Sequence, residues 1–357
     1  MDIYKKRLLG IDFLRFFCVS LIFASHFINF QEINISYLRN LAHHLKYAVE
    51  IFFVISGFVI AKISSEARYS KLIFILKRFY KIFFIGYVII FLCNPNFFLS
   101  NIADCYNSNN FLNIPWFLSF DDKQICLRGY ATGVSWTVIV EVYFYILFSI
   151  FYFDKFKSRN FVNIFDNKSK SLIILTIFAL CILRPLLDLI YNKFGSFVFE
   201  NRNHIFFSHF DSFFYGIIFF IFLNKITSFK YLNLILFTNI FIILSLFLVF
   251  GDTLASRPLA SFLGLNLLMY CFYNQSKFNT VLNLVSLFGK ASFIFYIIHM
   301  DLFNKLSDLL GGYNSIYIIY SCIWFISLML YIFAEVPLTR LGNFIFKYGQ
   351  SNKKITF

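Results

Sequence analysis

Apolar residues along the chain fall into ten segments separated by short polar stretches. Each segment is close to the roughly 20 residues that an α-helix needs to cross the hydrocarbon core of a bilayer. The segments are residues 10–30, 47–63, 72–93, 133–153, 171–191, 205–224, 232–250, 255–274, 287–304 and 315–334. The pattern therefore predicts an all-α fold, a polytopic transmembrane helix bundle of about ten spans.

The composition agrees with a location in the membrane. The chain is 59% hydrophobic and 22% aromatic, and 14% of its residues are charged, whereas about a quarter are charged in a soluble domain. The first apolar segment follows Lys5-Lys6-Arg7 and has no small-residue cleavage site, so we expect it to remain as the first span. We expect residues 1–345 to form one integral-membrane domain and residues 346–357 a short basic cytoplasmic tail.

The net charge of +14 is unevenly distributed. With the N-terminus in the cytoplasm, 22 of the Lys and Arg residues fall on the inner side of the ten spans and 8 on the outer side. Because cytoplasmic loops of membrane proteins carry such an excess, this count predicts that both termini are cytoplasmic. It also explains the basic balance of the chain without a nucleic-acid partner.

The first apolar segment carries three ionisable residues, Asp12, Arg15 and His26. Such groups are costly inside a membrane helix and by default indicate function. Arg15 and His26 are 11 residues apart, close to three whole turns, which places them on nearly the same face about 16 Å apart along the axis. Asp12 shares that face. We expect this face to line a reaction cavity, with Arg15 near the inner surface and His26 near the outer one.

Polar residues in the second and third segments allow two interpretations. Small residues at Ser56-Gly57 predict a close approach between helices. The basic residues from Lys77 to Lys81, which include Arg78, are either ordinary positive-inside charge or a docking site for a phosphorylated cytosolic donor, because Arg and Lys suit phosphates.

The fourth segment carries Glu141, and helical spacing places Trp136, Thr137 and Tyr145 broadly on the same side. A carboxylate in an apolar span needs a partner or stays protonated. Glu141 is therefore either functional or a structural partner of a basic residue such as Arg15 or Arg184.

The remaining histidines have less distinctive surroundings. His209 with Asp211 and, separately, His299 lie in apolar segments, where a lone histidine is more often a helix-packing group than a catalyst. His43 and His44 are predicted to be solvated loop residues. The long loop at residues 94–132 suits an extracytoplasmic ligand or a packed lid. Its two cysteines, Cys105 and Cys126, either form a disulfide or remain free. No metal-ligand spacing occurs.

Six strings, in order, resemble the membrane-bound acyltransferase-3 family. The first helix has an Arg followed by ten residues and a His, here Arg15 and His26, and the fourth has Trp136 and Glu141. The strings are IDFLRFFCVSLIFASHF, VEIFFVISGFVI, VSWTVIVEVYFYIL, FDSFFYGIIF, LFGKASFIFYIIHM and AEVPLTRL. The family's Arg-x-x-Arg reads Arg78-x-x-Lys81 here, and a Phe replaces the following Pro, so the donor contacts of this chain differ from the pattern.

The resemblance implies an O-acyltransferase with cytoplasmic acyl-CoA, most often acetyl-CoA, as co-substrate and no tightly bound cofactor. The acceptor would be a sugar hydroxyl of a surface polysaccharide, lipopolysaccharide or lipid-linked oligosaccharide, and the location a bacterial inner membrane. His26 would be the general base or a transient acyl carrier, and Glu141 would orient it or the acceptor. The substrate-binding residues would be Arg15, Asp12, Arg78, Lys81, Trp136 and His299.

Two other classes of protein also have many spans with buried charges. A transporter or flippase of lipid-linked sugars should show internal repeats and broken helices, and no such repeat is seen. A non-catalytic scaffold would leave Arg15, His26 and Glu141 without a reason for their cost of insertion.

Overall fold

The structure is a computed structural model that describes residues 9–27, 35–67, 69–95, 135–157, 209–226, 232–250, 256–273, 279–310 and 316–351. These residues are almost entirely helical and contain no β-strand. The predicted all-α class is therefore confirmed. In lipid a helix satisfies its backbone hydrogen bonds within one segment, which explains why apolar segments of this length become helices.

Helices account for nearly all of the described chain. In the first half they are α1 (Leu9–Phe27), α2 (Ser36–His43), α3 (Ala48–Glu66), α4 (Lys71–Phe79), α5 (Gly86–Cys93), α6 (Ser135–Phe151) and α7 (Phe153–Lys157). In the second half they are α8 (Phe210–Ile226), α9 (Leu232–Phe250), α10 (Ser256–Tyr273), α11 (Asn279–Leu310), α12 (Ile316–Leu330) and α13 (Val336–Ser351). A 3₁₀ turn, His44–Tyr47, joins α2 to α3, and π-helical turns join α4 to α5 (Tyr80–Ile85) and α12 to α13 (Tyr331–Glu335).

A helix lies at nine of the ten predicted spans. The remaining predicted span, residues 171–191, lies outside the described residues. Among the described residues, four helical stretches are long and apolar enough to cross a membrane: Leu9–Phe27, Ser36–Glu66, Val285–Leu310 and Ile316–Phe346. By length and composition, these four helices agree with the membrane assignment. The total of ten spans and the side on which the termini lie stay predictions.

The chain divides into two compact units. The first unit takes its described residues from Met1–Ala67, Phe153–Leu189 and Phe207–Ser292. The second unit takes its described residues from Arg68–Tyr152, Ile190–Phe206 and Phe293–Phe357. Each unit has its own set of polar residues.

Helix α3 is central to the first unit and packs against α1, α7, α8 and α10. Its contact with α8 depends on glycine. A Cβ atom at Gly57 of α3 would collide with the carbonyl oxygen of Phe213, and one at Gly216 of α8 would collide with that of Val54. The close approach predicted from Ser56-Gly57 is therefore confirmed, because only glycine leaves room for the facing backbone.

In the second unit α4 packs against α6 and α13. Ser70 caps the start of α4 by accepting a hydrogen bond from the Ile73 N–H (3.5 Å), which is a common way for a helix to begin. The Tyr80 hydroxyl in the first π-helical turn donates to the carbonyl oxygen of Leu338 in α13 at 3.0 Å. Gly342 lies against the Tyr80 ring, where a Cβ atom would collide. These contacts fix the first π-helical turn against α13.

Candidate functional site

Helix α1 of the first unit carries Asp12, Arg15 and His26 on one continuous helix. Asp12 is buried, with 8% of its surface exposed. Gly289 of α11 packs so closely on Asp12 that a Cβ atom would collide with the Asp12 carbonyl oxygen. The guanidinium carbon of Arg15 lies 5.8 Å from the centroid of the Phe52 ring, which is within the range of a cation–π contact.

His26 lies in the last turn of α1 and is exposed. Its ring centroid is 6.0 Å from that of Phe27. Because α1 is unbroken from Arg15 to His26, the predicted axial separation of about 16 Å holds along this helix. His26 is thus accessible to a molecule that arrives at the C-terminal end of α1, whereas Arg15 lies more than halfway back along the helix.

A buried polar cluster that sequence reasoning missed joins three helices of the first unit. We call Glu50, His209, Ser212 and Ser261 the Glu50 cluster. Glu50 Oε1 lies 2.8 Å from His209 Nδ1, and Ser212 Oγ donates to Glu50 Oε2 at 2.5 Å. The Oγ atoms of Ser212 and Ser261 are 2.7 Å apart. The four side chains are at most 2% exposed, so their hydrogen bonds offset a large cost of burial.

The expectation that His44 is solvated was wrong. His44 is 6% exposed, whereas its neighbour His43 is exposed as predicted. The Nδ1 atom of His44 lies 2.5 Å from the Asn40 carbonyl oxygen, and its Nε2 atom lies 3.5 Å from Ser256 Oγ. The 3₁₀ turn that begins at His44 packs against α1 and α10, and this packing buries the ring.

In the second unit Glu141 of α6 has a partner on its own helix. The Tyr145 hydroxyl, one turn further along α6, donates to Glu141 Oε1. The guanidinium carbon of Arg78 lies 5.2 Å from the centroid of the Tyr145 ring and 5.4 Å from that of Phe74. The structure thus brings Arg78 and Glu141 to the same tyrosine side chain. Arg184 lies outside the described residues, so a structural pairing of Glu141 with a basic residue such as Arg15 or Arg184 stays open.

Tyr296 of α11 extends this arrangement, and sequence reasoning did not single it out. Its hydroxyl lies 2.6 Å from Thr137 Oγ1, and Thr137 precedes Glu141 by one turn on α6. His299 is one turn further along α11, is 1% exposed, and its Nδ1 atom lies 2.8 Å from the Tyr296 carbonyl oxygen. The Glu141 cluster comprises Arg78, Thr137, Glu141, Tyr145, Tyr296 and His299.

Two further predicted residues belong to the second unit. Trp136 lies in the first turn of α6, directly before Thr137 of the Glu141 cluster. Lys81 lies in the first π-helical turn, and its Nζ atom forms an ion pair with Glu335 Oε1 at 3.1 Å. Sequence reasoning gave Glu335 no role. The signal was available, because Glu335 is the one acidic residue between residues 316 and 346.

Lys77 and Arg78 at the end of α4 both lie over aromatic rings. Lys77 Nζ lies 4.4 Å from the centroid of the Tyr69 ring. Burial raises the pKa of the Tyr69 phenol, and the nearby Arg78 guanidinium opposes this shift more weakly. The phenol is therefore neutral at physiological pH and offers an uncharged π face to Lys77.

The predicted site residues thus divide between the units. Asp12, Arg15 and His26 belong to the first unit, and the other predicted site residues, namely Arg78, Lys81, Trp136, Glu141 and His299, belong to the second. The orientation of His26 by Glu141 stays a prediction. The loop at residues 94–132 lies outside the described residues apart from residues 94 and 95, and so do Cys105 and Cys126, whose pairing remains open.

Comparison with known proteins identifies the family. The model of the acyltransferase 3 family, described as an acyltransferase domain, matches residues 8–341, which is nearly the whole chain. The chain belongs to the acyltransferase-3 family. It has no significant match among the curated proteins and none among the solved structures. Family membership makes acyl transfer the class of reaction, and together with the apolar helices it makes this chain an acyltransferase of a membrane.

The family match covers every predicted site residue in both units. It begins one residue before α1 and ends in α13, six residues beyond Glu335. Both the α1 residues and the Glu141 cluster therefore lie within the part of the chain that matches the acyltransferase domain.

Proposed function

We propose that this acyltransferase moves an acyl group, acetyl in the first instance, from cytoplasmic acyl-CoA to a hydroxyl of an extracytoplasmic sugar. The sugar belongs to a surface polysaccharide, a lipopolysaccharide or a lipid-linked precursor, and the membrane is the inner membrane of a bacterium. The observation that carries the proposal is the arrangement of Arg78, Tyr145 and Glu141. A cation, a phenol and a carboxylate meet where α4 packs against α6, and an ionisable group in a membrane helix such as α6 is costly and by default indicates function.

The chemistry required is attack of the sugar hydroxyl on the thioester carbonyl. A new C–O bond forms, the C–S bond breaks, and the hydroxyl proton finally resides on the CoA thiol. His26 takes that proton as general base, because imidazole titrates near neutral pH. In the alternative route, His26 carries the acyl group transiently and then passes it to the hydroxyl. Glu141, held by Tyr145, orients His26 or the acceptor.

Binding of the donor would use the remaining predicted residues. The phosphates of acyl-CoA require cations, and Arg78 and Lys81 supply them. Arg15 and Asp12 line the path of the pantetheine arm along α1. This path covers about 16 Å between Arg15 and His26. His299 of the Glu141 cluster and Trp136, which precedes Thr137 on α6, contribute to substrate binding.

A mass spectrum of surface polysaccharide tests the function directly. Samples would come from cells with the wild-type chain, with His26→Ala, with His43→Ala and without the chain. His43 is the matched control because it is an exposed histidine outside the site. We expect one acyl increment per repeat unit with the wild type and with His43→Ala, and none with His26→Ala or without the chain.

The other outcomes separate the remaining possibilities. An increment that persists with His26→Ala keeps the reaction but moves the catalyst elsewhere, with Glu141 as the next residue to test. No increment in any sample, with the protein shown to be in the membrane, contradicts transfer to surface polysaccharide and favours another acceptor or a transporter.

A further inference from the structure

The ion pair between Lys81 and Glu335 is unusually asymmetric. Their charged atoms are 3.1 Å apart, yet the Lys81 side chain is 39% exposed and that of Glu335 only 5%. Ion pairs between exposed residues contribute little to stability. The partner of a nearly fully buried carboxylate matters more for stability. Removing the carboxylate from water is costly, and the partner has to offset that cost.

The second oxygen of Glu335 strengthens this contrast. Glu335 Oε2 is buried and makes no hydrogen bond with any other described residue. The carboxylate is therefore held within the described chain through Oε1 and Lys81 alone. A residue that only clamped two helices together would be better served by an apolar pair of similar volume.

Both partners lie in π-helical turns, Lys81 in Tyr80–Ile85 and Glu335 in Tyr331–Glu335. Such turns are rare and frequently occur at functional sites. The hydrogen bond from the Tyr80 hydroxyl to the Leu338 carbonyl oxygen, next to both partners, connects the same two parts of the chain. The backbone under Lys81 and that under Glu335 are thus fixed relative to each other, so the carboxylate determines where the Lys81 ammonium lies.

We propose that Glu335 is a positioning residue that holds the Lys81 ammonium for a phosphate group of the acyl-CoA donor. The proposal rests on the proposed function. An ammonium group has three N–H donors, and Glu335 engages it from the buried side. The exposed side of Lys81 is then available to an anion. Lysine is a point charge on a flexible stem, and a fixed carboxylate supplies the orientation that the stem lacks.

Affinity for coenzyme A, measured on the purified full-length chain in detergent, tests this role. We expect Glu335→Gln to weaken binding of coenzyme A about tenfold, because the ammonium is no longer held in place. Glu335→Asp, which keeps the charge but withdraws it by one methylene, should give a smaller loss. Glu66→Gln is the matched control. It breaks the Lys62–Glu66 pair, which has a similar length of 3.2 Å and a more exposed carboxylate, and should leave affinity unchanged.

A charge swap separates positioning from a purely structural clamp. The double variant Lys81→Glu with Glu335→Lys restores an ion pair, so its thermal midpoint should return towards that of the wild type. Its affinity for coenzyme A should stay at least tenfold below that of the wild type, because a carboxylate now occupies the exposed position. The midpoints of all variants would be measured alongside, so that loss of folding is distinguished from loss of binding.

The outcomes decide between the proposals. Full recovery of affinity in the charge swap, or wild-type affinity of Glu335→Gln, overturns the positioning role and leaves the proposed function intact. If the wild type itself does not bind coenzyme A, the proposed function fails and this proposal fails with it. If Glu335→Gln does not fold, the charge swap and Glu335→Asp still give the comparison.

Discussion

The Glu141 carboxylate lies in an apolar helix, and its immediate surroundings explain how it is tolerated there. Tyr145 donates a hydrogen bond to it from one turn along α6, and the Tyr145 ring carries Arg78 on its face. Positive charge thus lies on the face of the ring whose hydroxyl donates to the carboxylate. A guanidinium binds phosphate through paired N–H donors, which suits the role expected of Arg78.

The first prediction concerns the Tyr145 hydroxyl. Tyr145→Phe keeps the ring beside Arg78 and removes the hydrogen bond to Glu141. Because a hydrogen bond to a charged group contributes about 1.5–3 kcal/mol, we expect the rate of acyl transfer to fall about ten- to hundredfold. The measurement is the initial rate of labelled acyl transfer from acyl-CoA into surface glycan in membrane vesicles.

Tyr143→Phe serves as the control for this rate. Tyr143 lies on the same helix two residues earlier, and residues two apart do not face the same side. An equal loss of rate in both variants would indicate a general disturbance of α6. An unchanged rate in Tyr145→Phe would show that Glu141 needs no orientation by Tyr145.

Single residues were the level at which sequence reasoning was least complete. It singled out Glu141 and placed Tyr145 on the same side, because i and i+4 positions are neighbours on any helix. It could not pair Glu50 with His209, or Lys81 with Glu335, since each pair joins residues more than 150 positions apart. Such contacts depend on which helices pack together, and single-helix periodicity carries no information about that.

At the scale of elements, the contact between α3 and α8 is the tightest constraint in the first unit. Gly57 and Gly216 each face the backbone of the opposite helix. The same contact lies beside the Glu50 cluster, whose members Glu50 and Ser212 belong to these two helices. Close packing and the buried hydrogen bonds therefore support each other, because a shift of either helix would disturb both.

The second prediction follows from this contact. Gly216→Ala adds a methyl group that would collide with the Val54 carbonyl oxygen and the Phe58 backbone nitrogen. Backbone atoms cannot rotate away, so we expect a loss of about 1–3 kcal/mol in stability, as is typical of overpacking. The thermal midpoint of the purified chain in detergent should fall accordingly.

The control for this variant is Val59→Ala, a small apolar substitution at a partly exposed position of α3. It should lower the midpoint much less. If the thermal midpoint of Gly216→Ala equals that of the wild type, α3 and α8 can move apart without a loss of stability.

Helix positions were largely predictable, whereas helix details were not. Predicted spans such as 232–250 and 255–274 agree with α9 and α10 to within one residue, because apolar length alone determines a span. The prediction ended the last span at residue 334, but the helix continues through a π-helical turn into α13. A π-helical turn adds one residue to a turn, and in a helix that is apolar on all sides this shift of register changes no polar face that the sequence could show.

At the scale of the whole molecule, the predicted site falls into two groups that belong to different units. Asp12, Arg15 and His26 come from the first unit, and the Glu141 cluster comes from the second. The members of both groups that were predicted could be found from the sequence, because each ionisable residue in an apolar segment is recognisable by itself. Their division into two units depends on the packing of all helices together, which no local pattern specifies.

The last prediction tests the orientation of the chain in the membrane. Helix α11 runs from Asn279 to Leu310. Asn283 and Asp308 lie near its ends and are both exposed. The two positions are 25 steps apart along the helix, which corresponds to about 37 Å, more than the roughly 30 Å of a bilayer core. The positive-inside count places Asn283 in the cytoplasm and Asp308 outside.

A membrane-impermeant maleimide applied to intact cells distinguishes these two ends. In a parent whose seven native cysteines are replaced by alanine, we expect Asp308→Cys to be labelled and Asn283→Cys to be labelled only after the cells are opened. Because both positions lie on one helix, each serves as the control for the other. Labelling of Asn283→Cys alone in intact cells would invert the topology and place His26 on the cytoplasmic side. Labelling of both would mean that α11 does not cross the membrane.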